Sequence, residues 1–94
     1  MSYNLTSMAF GDVRLVSFLW NKWLLPGDAL TGTPELTSVE PITSASLLGV
    51  VGSTVTCAIT AGTFVGTGQV SCTVMTVNGE TATRTAFVPV QALV

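Results

Sequence analysis

"SFLWNKWLLPGDAL", residues 17–30, holds both tryptophans of the chain beside a run of leucines that ends at Pro26-Gly27. Three structures compete for it: a membrane segment, an amphipathic helix, or a strand that delivers its aromatics to a β core. The apolar run from Leu15 to Leu25 is broken by Asn21 and Lys22, whereas a helix that spans a bilayer needs about 20 apolar residues. As a helix, Leu15, Phe18, Leu19, Lys22 and Trp23 would share a stripe, and Pro26-Gly27 would stop it. As a strand, Val16, Phe18 and Trp20 share a face, and those residue types favour strands. The sequence on either side is β in character. The stretch therefore reads as a strand to about residue 20 and then a tight aromatic corner. There Trp20 and Trp23 plug one end of the core, each ring able to bury about 200 Å².

The C-terminal half carries the clearest pattern. In "QVSCTVMTV" (residues 69–77), Val70, Cys72 and Val74 alternate with Ser71, Thr73 and Met75, the period of a half-buried strand. Asn78-Gly79 separates this run from the Thr-rich "TATRTAFVPV" (residues 81–90). Asn-Gly between two β-type runs predicts a hairpin with a two-residue turn. That turn places Val70 opposite Phe87, Cys72 opposite Thr85 and Thr73 opposite Arg84. Upstream, Val55, Cys57 and Ile59 align in a further strand bounded by Gly52 and Gly62. "AGTFVGTG" (residues 61–68) has no helical period and reads as a connection. "ALTGTPELTSVEPIT" (residues 29–43) reads as an edge strand, interrupted by Pro34 and ended by Pro41, because proline gives no donor to a ladder. Strands at this spacing indicate an all-β, antiparallel sandwich or barrel in a single small domain.

The chain has 94 residues, of which only 9% are charged and 48% hydrophobic, against about 25% charged in an ordinary soluble domain. Thr, Ser and Gly stand where charges would be. So uncharged a surface suits a subunit covered by other chains in an assembly better than a lone extracellular domain. Arg14, Lys22 and Arg84 are too few and too scattered to track a phosphate backbone, so nucleic acid is not an expected partner; neither is a membrane. With no histidine in the chain, the usual general base and the commonest metal ligand are missing. Cys57 and Cys72 cannot complete a metal site by themselves; they read as buried thiols, with a disulfide as the alternative. The carboxylates Asp12, Asp28, Glu35, Glu40 and Glu80 fall at turns and strand ends, and no two are spaced as a catalytic pair. "GTFVGTG" lacks the lysine and the helix of a phosphate loop. No enzyme, cofactor or metal is expected. The N-terminus has no basic region of the kind that opens a signal peptide.

The layout Trp20-x-x-Trp23-Leu24, then Gly27-Asp28, then Gly62-Thr63, Gly79 and Arg84, resembles the small immunoglobulin-like virion proteins of tailed bacteriophages that serve as fibre–tail adaptors. The likeness covers roughly residues 13–90. Leu19 stands where that family usually has an acid, and Gly68-Gln69 where an aromatic usually opens the next strand. The resemblance implies an immunoglobulin-like sandwich over residues 12–94, with residues 1–11 as an N-terminal arm. It implies a core built on Trp20, Trp23, Leu24, Gly27, Asp28, Cys57, Val70, Cys72, Val74 and Phe87. It also implies a structural subunit of the virion, assembled in the host bacterial cytoplasm, that binds tail, fibre, connector or capsid proteins in several symmetric copies. Met8, Phe10, Lys22 and Arg84 are the interface candidates, and the arm, apolar at Met8 and Phe10, is expected to order against a neighbour. Two other roles compete: a decoration protein on the capsid surface, and a carbohydrate-binding adhesin module with Trp20 or Trp23 as its platform.

Overall fold

Alternation of apolar and hydroxyl side chains builds nearly every element of the chain. The computed structural model describes residues 2–92, and Met1 and residues 93–94 lie outside it. Its strands are β1 (Ser2–Asn4), β2 (Met8–Ala9), β3 (Val13–Leu19), β4 (Leu30–Val39), β5 (Ile42–Val51), β6 (Thr54–Ala61), β7 (Gly66–Thr76) and β8 (Thr81–Gln91). No helix occurs among the described residues, and so none is long and apolar enough to cross a membrane.

Two sheets face each other. In the first, β4, β7 and β8 are antiparallel neighbours, and both β1 and β2 lie parallel to β8 along its other side. In the second, β3, β6 and β5 run antiparallel in that order. This is an immunoglobulin-like β-sandwich. The stretch from Ser17 to Leu30 enters as strand β3 and leaves as a turn after Trp20, as its residue types demand. Val16, Phe18 and Trp20 point inward to meet Val55, Cys57 and Ile59 of β6 and Val70, Cys72 and Val74 of β7. Each fully buried aliphatic side chain contributes about 1.5–3 kcal/mol, and this shared layer is the greater part of the core.

The β7–β8 hairpin corrects the expected register by one residue. Val70 lies opposite Ala86, Cys72 opposite Arg84 and Thr73 opposite Thr83. The loop holds three residues, Val77 to Gly79, closed by Thr76 N–H donating to Glu80 O at 2.8 Å and Gly79 N–H donating to Thr76 O at 2.9 Å. Gly79 alone takes a positive φ, +90°, as a three-residue hairpin loop requires. The two-residue turn occurs elsewhere, at Gly52-Ser53, where Gly52 has φ +58° and Val51 pairs with Thr54. The shifted register turns Ala86, Val88 and Val90 inward and leaves Phe87 half-buried on the outer face. Phe87 is therefore not a core residue.

The N-terminal segment is likewise not a free arm. Its strands β1 and β2 pair with β8, and Met8 is buried in the core at 1% exposure. Phe10, half-buried, packs against the same core. An apolar residue next to a sheet gains more by burial than by waiting for a partner. Leu5 N–H donates to Phe87 O at 2.8 Å, and pairing resumes only at Val90. Pro89, with no N–H to give, sits in that gap. β5 is a full ten-residue strand, for which the sequence pattern marks no element of its own.

Candidate functional site

The aromatic corner follows from chain geometry at the end of β3. Trp20 N–H donates to Ser53 O at 2.9 Å, and Trp20 O accepts from Trp23 N–H at 3.0 Å and Leu24 N–H at 3.1 Å. This tight turn brings the two indoles edge to face, with centroids 5.3 Å apart and planes at 70°, a favoured aromatic geometry. The guanidinium of Arg84 lies 4.6 Å from the Trp20 ring centroid, a cation–π contact. Arg84 reaches the ring because the true register puts it opposite Cys72 rather than Thr73.

Trp20 is fully buried and its Nε1 has no hydrogen-bond partner. The Cys72 sulfur is the polar group beside it, near enough to favour the thiolate slightly. Burial dominates there and pushes the Cys72 thiol up to about 11; burial also raises Cys57. Both cysteines are free and buried. A thiol that stays protonated at neutral pH and is closed to solvent is a small hydrophobe, not a nucleophile.

Asp28 ties the corner to the hairpin. Its Oδ1 accepts from Ala29 N–H at 2.9 Å and from Asn78 N–H at 3.2 Å, and Val77 N–H donates to Ala29 O at 2.9 Å. Desolvation of the carboxyl works against its charge, but the donors of Ala29, Thr76 and Asn78 together outweigh it and hold the pKa below the ordinary value. Gly27 precedes it with φ +82°, which only glycine adopts freely. Trp20, Trp23, Leu24, Gly27, Asp28, Gly79 and Arg84 thus gather at one end of the sandwich, while Gly62-Thr63 lies at the other. Lys22 is exposed on the turn between the tryptophans.

Nothing reactive converges on this end. Asp12 and Glu40 lie in turns, Glu35 on β4 and Glu80 beside the hairpin loop. Among the described residues, no three His, Cys, Asp or Glu side chains approach closely enough to hold a metal. A sugar platform needs an open ring face; Trp20, fully buried, has none, and Trp23 is half-buried against it.

The second feature is the flank between β1 and β3. A groove of about 540 Å³ runs there, lined by Asn4, Leu5, Val16, Phe18, Leu19 and Ala86 among others. Arg14 reaches across from β3 and donates from its two terminal nitrogens to Thr6 O and, at 2.8 Å, to Ser7 O. Above the groove, Val13, Leu15 and Leu19 project from the outer face of β3 with 60% or more of their surface exposed. The sequence held this signal: "VRLVSFL" is apolar in both phases of the alternation, as in a strand covered on two sides. Its outer phase is overshadowed by the inner one, where Val16, Phe18 and Trp20 carry the stronger strand signal.

A two-sheet scaffold plugged by rings, with its thiols silenced by burial, defines a structural β-sandwich of the immunoglobulin-like class. Residues 8–89 match the family described as "Podophage GP4 fiber-tail adaptor protein gp77", and the chain belongs to it. It is a structural adaptor protein of a bacteriophage virion. The matched span runs from β2 into β8. No curated protein matches the chain. Among solved structures, it is similar to the solution structure of Amebosin, at 23% identity over 94% of this chain and 88% of that one, with a TM-score of 0.40.

Proposed function

We propose that the chain joins fibre and tail as a multicopy subunit assembled in the host cytoplasm, holding its neighbours through its sheet surfaces and performing no chemistry. The observation that carries this reading is the outer face of the β3–β6–β5 sheet. β3 presents Val13, Leu15, Ser17 and Leu19, and the facing residues of β6 are Thr54, Thr56, Ala58 and Thr60. No charge interrupts these two strands' outer face, which suits contact with other protein surfaces. The opposite sheet presents hydroxyl pairs instead, Ser71 with Thr85 at 2.9 Å and Thr73 with Thr83 at 2.7 Å. Of the three cations, Arg14 is engaged on backbone carbonyls and Arg84 on an indole, which leaves little for a nucleic-acid backbone.

The test is the position and stoichiometry of the chain in purified particles. Antibody labelling at the tail, a small fixed copy number, and fibreless particles when the gene is deleted are the expected results. Labelling over the head at capsomer-scale copy number would replace this reading with capsid decoration.

A further inference from the structure

Free sheet edges recruit other strands unless something blunts them. In the first sheet, β4 carries Gly32 and Pro34 and breaks register between Thr31 and Glu35, while β1 and β2 are short and separated by residues 5–7. In the second sheet, β5 breaks register twice. β3 has no break of this kind: seven residues pair with β6 without interruption, none is proline or glycine, and its one charged side chain, Arg14, is tied to Thr6 O and Ser7 O of its own chain.

The direction of its backbone groups follows from its ends. Ala61 N–H donates to Asp12 O, and Trp20 N–H donates to Ser53 O. In an antiparallel pair these bonds alternate along the strand, so Arg14, Val16 and Phe18 spend their backbone groups on β6. Val13, Leu15, Ser17 and Leu19 turn theirs to the open side. The same four residues carry the exposed apolar stripe, and the groove between β1 and β3 opens beside them.

We infer that two copies of this chain join through β3, antiparallel about a two-fold axis, to form one continuous six-stranded sheet. Val13 then pairs with the partner's Leu19, and Leu15 with the partner's Ser17. The charges at the ends of the strand select this occupant. Asp12 stands just before β3 and Lys22 shortly after it, so antiparallel self-pairing sets each acid opposite the partner's Trp20, two residues from the partner's Lys22, twice by symmetry. Parallel pairing sets like charges together. Between those ends no charged side chain projects on the outer face of β3, so a second copy brings no repulsion of its own. The abutting sandwich also covers the mouth of the groove. The contact is small beside a standard interface of about 1,600 Å², so the dimer is weak in dilute solution and strengthens at the local concentration of an assembly. This goes beyond the adaptor reading and does not depend on which virion parts the chain joins.

The full chain, without partners, is the test. Sedimentation equilibrium from about 10 µM to 1 mM should show a monomer–dimer equilibrium. Over the same range, amide exchange at Val13, Leu15, Ser17 and Leu19 should slow as concentration rises, while exchange at Arg14, Val16 and Phe18 stays unchanged. Ser17→Pro removes an N–H that serves no internal ladder, and should weaken the dimer by about tenfold or more. Lys22→Glu should weaken it by about three- to tenfold, with a reduced dependence on salt. A monomer at the top of the range overturns the inference. So does a dimer that leaves those four amides in fast exchange, a result that needs no variant to fold.

Discussion

The two ends of the sandwich are closed by opposite means. Where β3 runs into the corner, two indoles, a guanidinium and a buried thiol fill the gap between the sheets. At the other end, where β4 turns into β5 and residues 62–65 lead into β7, closure depends on side chains that are missing. A Cβ on Gly68 would lie 2.8 Å from Ile42 N and 3.1 Å from Val39 O, and would overlap Ile42 Cγ1. A Cβ on Gly62 would lie 2.8 Å from Thr43 Cγ2 and 3.1 Å from Pro41 O. One end is vulnerable to removing atoms and the other to adding them. The difference matters for an adaptor, because both ends must stay shut without partner contacts if the sheet faces are to be spent on assembly.

The largest effect should come from emptying the corner. Trp20→Ala removes a fully buried ring and should cost about 3–5 kcal/mol, a large part of the about 5–15 kcal/mol that a domain of this kind holds. Urea denaturation followed by far-UV circular dichroism measures it. Trp20→Phe should cost distinctly less, since the indole Nε1 has no hydrogen bond to lose. Equal losses for the two variants would mean that ring volume does not close this end.

Filling the other end should come next. Gly68→Ala should cost about 2–3 kcal/mol, because the obstacles include backbone atoms that cannot rotate away. Gly66→Ala is the internal control: its Cβ would meet only Pro41, at 3.8 and 3.9 Å, ordinary contact. Its effect should stay within about 0.5 kcal/mol. If the two alanines behaved alike in the same denaturation, the contrast between the ends would fail.

These ends differ in how far the sequence announces them. Both tryptophans, the Pro26-Gly27 stop and the strand before it were legible, because ring size and period are local properties. Gly68 was not, since its constraint comes from Ile42, distant in sequence, and nothing near Gly68 encodes that approach. The hairpin slipped by one because Asn78-Gly79 fits either a two- or a three-residue loop. The parity of Val88 and Val90, which must both face inward, would have decided it and taken Phe87 out of the core. The N-terminal strands were hidden for a similar reason. Three- and two-residue strands carry too few alternations to show a period, and their pairing with β8 is wholly non-local. The exposed phase of β3 is legible in Val13, Leu15 and Leu19, but the sequence alone does not say whether that face is covered.

The finest test of the comparison concerns the clasp that holds the corner to the hairpin. Asp28 is ionised more readily in the fold than its ordinary value of 3.8 would allow, because Ala29 and Asn78 aim their N–H groups at its Oδ1. A carboxyl whose pKa is lower when folded stabilises the fold at pH values above its unfolded pKa, and that contribution is lost as pH falls through the folded value. Asp28→Asn keeps an acceptor oxygen and removes the charge. The variant should therefore be less stable than the parent at pH 6, and the gap should narrow below about pH 4 as the parent's own carboxylate takes up its proton. Denaturation midpoints at pH 6, 4 and 2 give the comparison directly. A gap that persisted undiminished at pH 2 would show that Asp28 holds the hairpin by shape, and that the charge at this end is incidental to its closure.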